Sequence, residues 1–250
     1  MNNKQKFKTL LNIALSGSIL FFILSALGMY FYPGGNLYHN PFNQDANALN
    51  YYSHTLNFFS DLGLEVSWGG EDNSTSALFF LGSLFSVAIG IISFYSAFHF
   101  ILKKDQKLIL LSKLGIFISV ISAIGFICVG FTPADKMYPE HMFSVNLAFR
   151  SFLIVMLLYS YAIFKSNYVT NYLSFIYMLL FALVAYYVYI IIAGPSLPSV
   201  PYGHKDFFTP VMSDLSFHVI SQKFVVYGLS LSILWQLFEL KKQKYIDLVD

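Results

Sequence analysis

Residues 77–101 read ALFFLGSLFSVAIGIISFYSAFHFI, twenty-five positions without an Asp, Glu, Lys or Arg. A bilayer core of roughly 30 Å is crossed by about 20 apolar residues of helix. Hydrocarbon cannot satisfy backbone N–H and C=O groups, so a run this long and this apolar predicts a membrane-spanning α-helix. Five further runs have the same character, at approximately 8–32, 108–131, 142–164, 170–193 and 215–238. The chain is 56% hydrophobic and 11% charged, against about 25% charged in a soluble domain. These properties predict an all-α polytopic membrane protein with a single domain over 1–250. Its six transmembrane helices pair into three hairpins.

Charge sets the expected orientation. With the N-terminus inside, the inner segments hold Lys4, Lys6, Lys8, Lys103, Lys104, Lys107, Lys113, Lys165, Lys241, Lys242 and Lys244, whereas the outer loops hold only Lys136 and Lys205. An excess of Lys and Arg beside span ends marks the cytoplasmic side, so both termini are expected there. The first apolar run continues from Leu10 to Tyr32 without a small-residue cleavage site, and reads as a retained helix rather than a signal peptide. Fourteen lysines against one arginine and no targeting extension favour a bacterial inner-membrane protein. The single cysteine, Cys128, excludes an intramolecular disulfide and a Cys-based metal cluster. Tyr30, Tyr32, Trp68 and Trp235 sit near span ends and read as headgroup anchors.

The inner connections are short, and the first outer loop is the longest piece outside the spans. It opens with the turn signal Pro33-Gly34-Gly35. Its segment 50–63, written as a helix, places Asn50, His54, Asn57 and Asp61 on one face and ends at Gly63. A short interfacial helix is therefore expected there. The third outer loop, with Pro195, Pro198, Pro201 and Pro210, reads as irregular.

His39, His54, His141, His204 and His218 fall on the outer side, and His99 at an inner span end. Three outer histidines lie close in sequence to a carboxylate: His54 with Asp61, His141 with Asp135, and His218 with Asp214. If the hairpins converge, His54, His141 and His218 form a candidate zinc set, with Asp61 or Asp135 activating its water. No pair matches a compact metal signature, and ordinary polar roles are the simpler reading. Asp214 reads as the N-cap or first-turn acid of the last helix. Arg150 and Lys223 lie about nine and eight residues inside their spans. Placing a charge there costs about 2.5–3.5 kcal/mol, which favours a buried ion pair or an anion contact for each.

The sequence Ser60-Asp61-Leu62-Gly63, then Asn73 leading into Ala77–Gly90, then Gly130-Phe131-Thr132-Pro133-Ala134-Asp135 followed by His141, resembles the family called domain of unknown function 998 (DUF998). The family comprises six-span prokaryotic membrane proteins distantly similar to the eukaryotic DRAM and Sfk-type families. Ser60, Asp61, Gly63, Asn73, Pro133, Asp135 and His141 match the family pattern, which lies before the second span and between spans three and four. The region of spans two to four carries the resemblance. The family implies no established reaction, and its eukaryotic relatives point toward lipid organisation. The leading expectation is an outward-facing polar site binding a lipid headgroup or small ligand, formed by Ser60, Asp61, Asn73, Asp135, His141 and Arg150, with no cofactor. Membrane lipids are the expected partners, and nucleic acid is not. Two alternatives stand beside it: a zinc-dependent intramembrane hydrolase of lipid amides or esters, and a small ion-coupled transporter using Arg150 and Lys223.

Overall fold

The computed structural model describes residues 1–41, 43, 49–198, 204 and 206–249; Pro201 and Lys205 lie outside the described residues. Six helices are long and apolar enough to cross a membrane. They are α1 (Asn3–Phe31), α2 (Ser74–Leu102), α3 (Ile109–Phe131), α4 (Tyr138–Lys165), α5 (Tyr172–Ala193) and α6 (Met212–Leu240), followed by a short α7 (Gln243–Asp247). Most run a few residues beyond the apolar stretches. The basic turn before α1 continues the helix, held by a capping box in which the Asn2 side chain accepts from Gln5 N–H. Gly194 closes α5, donating its N–H to Ile190 O, and Pro195 follows.

Each spanning helix packs against the next, and α1 closes against α6. Both termini share one end of the bundle, where Lys4 and Asp247 approach to 3.4 Å. That end is the terminal face; the opposite end, bearing the described residues of loops 32–73, 132–137 and 194–211, is the loop face. Without a hydrophobic drive between helices in lipid, close backbone approach at small residues holds such bundles together. Here a Cβ on Gly17 of α1 would lie 2.6 Å from Ser86 O of α2, and one on Gly125 of α3 would lie 2.6 Å from Ala148 N of α4. Ser122 adds a hydrogen bond across the α3–α4 crossing, donating to Ala148 O at 2.8 Å.

The terminal half of the interior is filled by aromatic rings. Phe94, Tyr95, Phe98, Tyr159 and Tyr177 are buried together, with Tyr95 and Tyr159 centroids 4.5 Å apart. On the terminal face, Glu239 is paired with Lys242 and Lys244.

The loop-face half is closed by a folded cap made from the described residues of 32–73. The turn expected at its start is present, with Gly34 at φ +133° and Gly35 at φ +75°, backbone angles that favour glycine. The helix expected over 50–63 is reduced to a five-residue 3₁₀ turn, Phe59–Gly63. Its polar residues do not share a solvent face: Asn57 and Asp61 are buried, while Asn50 and His54 are exposed. A second correction concerns the aromatics. Tyr30 and Trp235 are exposed, as headgroup anchors require, but Tyr32 and Trp68 are buried in the cap.

Candidate functional site

Three structural elements pin the cap to the bundle, and the residues of the Ser60–His141 pattern supply many of the ties. From α2, the Asn73 side-chain amide reaches the carbonyls of Leu62 and Leu64 at 3.1 and 2.8 Å, and Ser76 donates to Leu62 O at 3.1 Å. From the loop before α4, Asp135 accepts from the backbone N–H of Glu65 and Val66 at 3.1 and 3.2 Å. From α6, Gln222 accepts from Phe59 N–H at 2.6 Å and Lys223 donates to Asn57 O at 2.6 Å. Gly63 is required by proximity, since a Cβ there would meet the Phe80 ring at 2.6 Å.

Inside the cap lies a buried polar cluster. Asn57 is its hub: its amide donates to Asp61 Oδ2 at 3.0 Å and to Gly35 O at 2.8 Å, and its Oδ1 accepts from Ser53 N–H at 2.9 Å. Phe58 N–H donates to the same Asp61 oxygen at 2.9 Å. Lys223 donates to Tyr52 Oη at 2.6 Å and lies 5.0 Å from that ring's centroid. Asp61 and Lys223 are 4% and 6% exposed. They form no direct ion pair, so Asn57 bridges them, receiving Lys223 on its carbonyl and giving its amide to Asp61. Burial raises the Asp61 carboxyl to about 6, opposed by the Asn57 and Trp68 side chains, the Lys223 charge and Phe58 N–H. Burial, reinforced by the Asp61 charge, pushes the Tyr32 and Tyr52 hydroxyls up as well.

Directly beneath the cap is a cavity of about 80 Å³. Phe59 and Ser60 of the 3₁₀ turn and Gln222 of α6 line it, and its walls are apolar side chains such as Phe21, Leu84, Phe126, Phe149 and Val226. Ser230, whose hydroxyl bonds back to Val226 O at 2.8 Å, opens onto the cavity from α6. The cavity is therefore an apolar chamber with a polar rim on its loop-face side.

The candidate residues named from sequence separate into groups. Ser60 stands at the cavity roof, Asp61 lies in the buried cluster of the cap, and Asn73 and Asp135 clamp the cap that carries them. His141 accounts for itself, its Nδ1 meeting Thr132 O at 2.7 Å, so it closes the α3–α4 turn rather than facing Asp61. Arg150 is exposed on α4, with no hydrogen bond or ion pair among the described residues. The buried side of that turn is taken by Ala148, Phe149 and Phe152, and the 100° step of the helix turns Arg150 away from the cluster. It therefore does not join Asp61 and Asp135. Lys223 does find a buried counter-charge.

The zinc set does not assemble. No group of three or more His, Cys, Asp or Glu that could hold a metal occurs among the described residues. His54 is exposed against Tyr52, and His218 donates Nε2–H to Pro195 O at 2.8 Å. Asp214 is not the N-cap of α6; Val211 holds that position without a side-chain cap, and Asp214 lies in the first turn. Sequence reading does not place Tyr52 in the site, and gives Tyr32 and Gly35 only as a headgroup anchor and a turn residue. Their roles depend on how the cap folds; the i, i+4 spacing of Asn57 and Asp61 is the available signal.

Fold and site together define a polytopic helical membrane protein whose loop-face half holds a capped apolar chamber beneath a buried Asp–Asn–Lys cluster. Comparison with family models, with curated proteins and with solved structures yields no match.

Proposed function

We propose that this protein binds a membrane amphiphile whose apolar end enters the chamber beneath the cap. The observation that carries the reading is the chamber itself, an apolar cavity of about 80 Å³ with polar Ser60 and Gln222 at its roof. An apolar cavity of about 150 Å³ stays dry and takes benzene, so this chamber accommodates the last few methylenes of a chain rather than a whole lipid. A chain end that leaves lipid for the chamber gains no transfer from water, so close packing against the walls holds it, and the rim orients what is attached to it. The clamped cap, with its Asp61–Asn57–Lys223 cluster, closes the chamber against water. The proposal places the terminal face in the cytoplasm of a bacterium, supported by the lysines gathered there. The likeness of the Ser60–His141 pattern to the DUF998 proteins belongs to the same proposal.

Ser230→Phe fills the chamber from α6 and tests this reading. Native mass spectrometry of protein extracted in mild detergent is expected to show one bound amphiphile per chain, with occupancy at least fivefold lower in the variant. Thermal stability of the variant should be unchanged or higher. Equal occupancy in both proteins would sink the proposal.

A further inference from the structure

Away from the central chamber, between the loop-face ends of α5 and α6, lies a second pocket of about 460 Å³. Its size falls within the range of about 300–1,000 Å³ usual for small-molecule sites. Tyr186 and Tyr189 of α5 and Phe217 of α6 line it together with Asp214, and Gly194 and Pro195 form its end wall. That wall is anchored, because His218 of α6 donates to Pro195 O at 2.8 Å and its ring fills the space a side chain on Gly194 would need. The rings are 51%, 63% and 41% exposed for Tyr186, Tyr189 and Phe217, so their faces remain free. Asp214 is half-buried, and among the described residues its carboxylate is met only by the adjacent Ser213 hydroxyl at 3.5 Å. No cation pairs with it among the described residues.

An aromatic girdle at a membrane surface accounts for exposed tyrosines. It does not account for a carboxylate lining the same hollow without a counter-charge among the described residues. A carboxylate among aromatic faces matches one ligand chemistry, a compact organic cation held by Coulomb attraction and cation–π contact, as in sites for quaternary ammonium groups. We infer that the α5–α6 pocket binds an ammonium group, with Asp214 as counter-charge and Tyr186, Tyr189 and Phe217 as its aromatic walls. The ammonium can belong to a lipid headgroup or to a free amine. This site uses none of the residues of the central chamber, so its fate in the following test is independent of the Ser230 experiment.

The test uses the full chain in nanodiscs of phosphatidylglycerol, which carries no ammonium. Saturation-transfer NMR is read at the N-methyl protons of two probes, soluble phosphocholine and lysophosphatidylcholine. Transfer is expected, and is expected to fall at least fivefold in Asp214→Asn and in Tyr189→Leu, with melting temperatures held. A signal from phosphocholine identifies a site that takes the free group; a signal from the lysolipid alone identifies a headgroup site. A signal undiminished in either variant, or no signal from either probe, overturns the inference.

Discussion

Lys223→Met is expected to lower the melting temperature of the detergent-purified protein by about 6–20 °C, from a loss of about 3–5 kcal/mol on breaking a buried charge pair and about 2–4 °C per kcal/mol at this chain length. The substitution keeps the bulk of the side chain but removes the donor to Tyr52 Oη and Asn57 O. It also leaves Asp61 buried without its counter-charge. Asp61→Asn combined with Lys223→Met removes both charges, and should recover at least half of the loss. The pH dependence has a definite sign. The folded Asp61 carboxyl titrates at about 6, above its ordinary value of 3.8. The cost of burying its charge is therefore absent below about pH 4 and complete only above about pH 6. The Lys223 charge holds that value down, so in Lys223→Met the carboxyl titrates higher still, and the extra defect should be absent below about pH 6 and deepen as pH rises above it. Equal melting temperatures for the single and double variants, with no pH trend, would show that the two groups are not coupled.

Gly125→Leu is expected to abolish the folded bundle, giving no monodisperse protein on size exclusion. A Cβ at this position already lies 2.6 and 2.8 Å from Ala148 N and Cα, and backbone cannot yield as a side chain does. Overpacking against movable side chains costs about 1–3 kcal/mol; here the α3–α4 crossing must separate, and the Ser122–Ala148 hydrogen bond goes with it. Gly82→Ala is the control, because a Cβ there meets only the Leu24 side chain at 3.3 Å. Purification of Gly125→Leu at wild-type yield and stability would mean that the crossing is looser than described.

The six spans were legible because length and the lack of charge are local properties of the sequence. Which face of each span turns inward was not. In a membrane both the packed and the lipid-facing surfaces are apolar, so Arg150 and Lys223, at similar depth, look alike in the sequence. Packing separates them: Lys223 enters the cap beside Tyr52, and Arg150 lies on the exposed stripe with Phe143, Ile154 and Leu157. The histidines misled for a related reason. Their proximity in sequence to carboxylates suggested a shared metal, yet His141 and His218 each bond to a backbone carbonyl of a neighbouring turn.

The cap shows where local rules stop. Helical spacing put Asn50, His54, Asn57 and Asp61 on one face, but the glycine turn at Gly34–Gly35 brings Gly35 O within 2.8 Å of the Asn57 amide. The Lys223 ammonium, from 166 residues further along, takes the Asn57 carbonyl. These long-range bonds favour a 3₁₀ turn with both polar groups inward. The chamber was not legible at all, since five spanning helices and the 3₁₀ turn contribute its walls.

The binding of an apolar chain end in that chamber is tested most directly by photolabelling. Membranes containing the protein and a fatty acid with a diazirine at its terminal methylene are illuminated, and the adducts are mapped by peptide mass spectrometry. The account predicts adducts at chamber residues such as Leu84, Phe126 and Val226. Adducts confined to lipid-exposed positions such as Leu179 and Phe224 would contradict it.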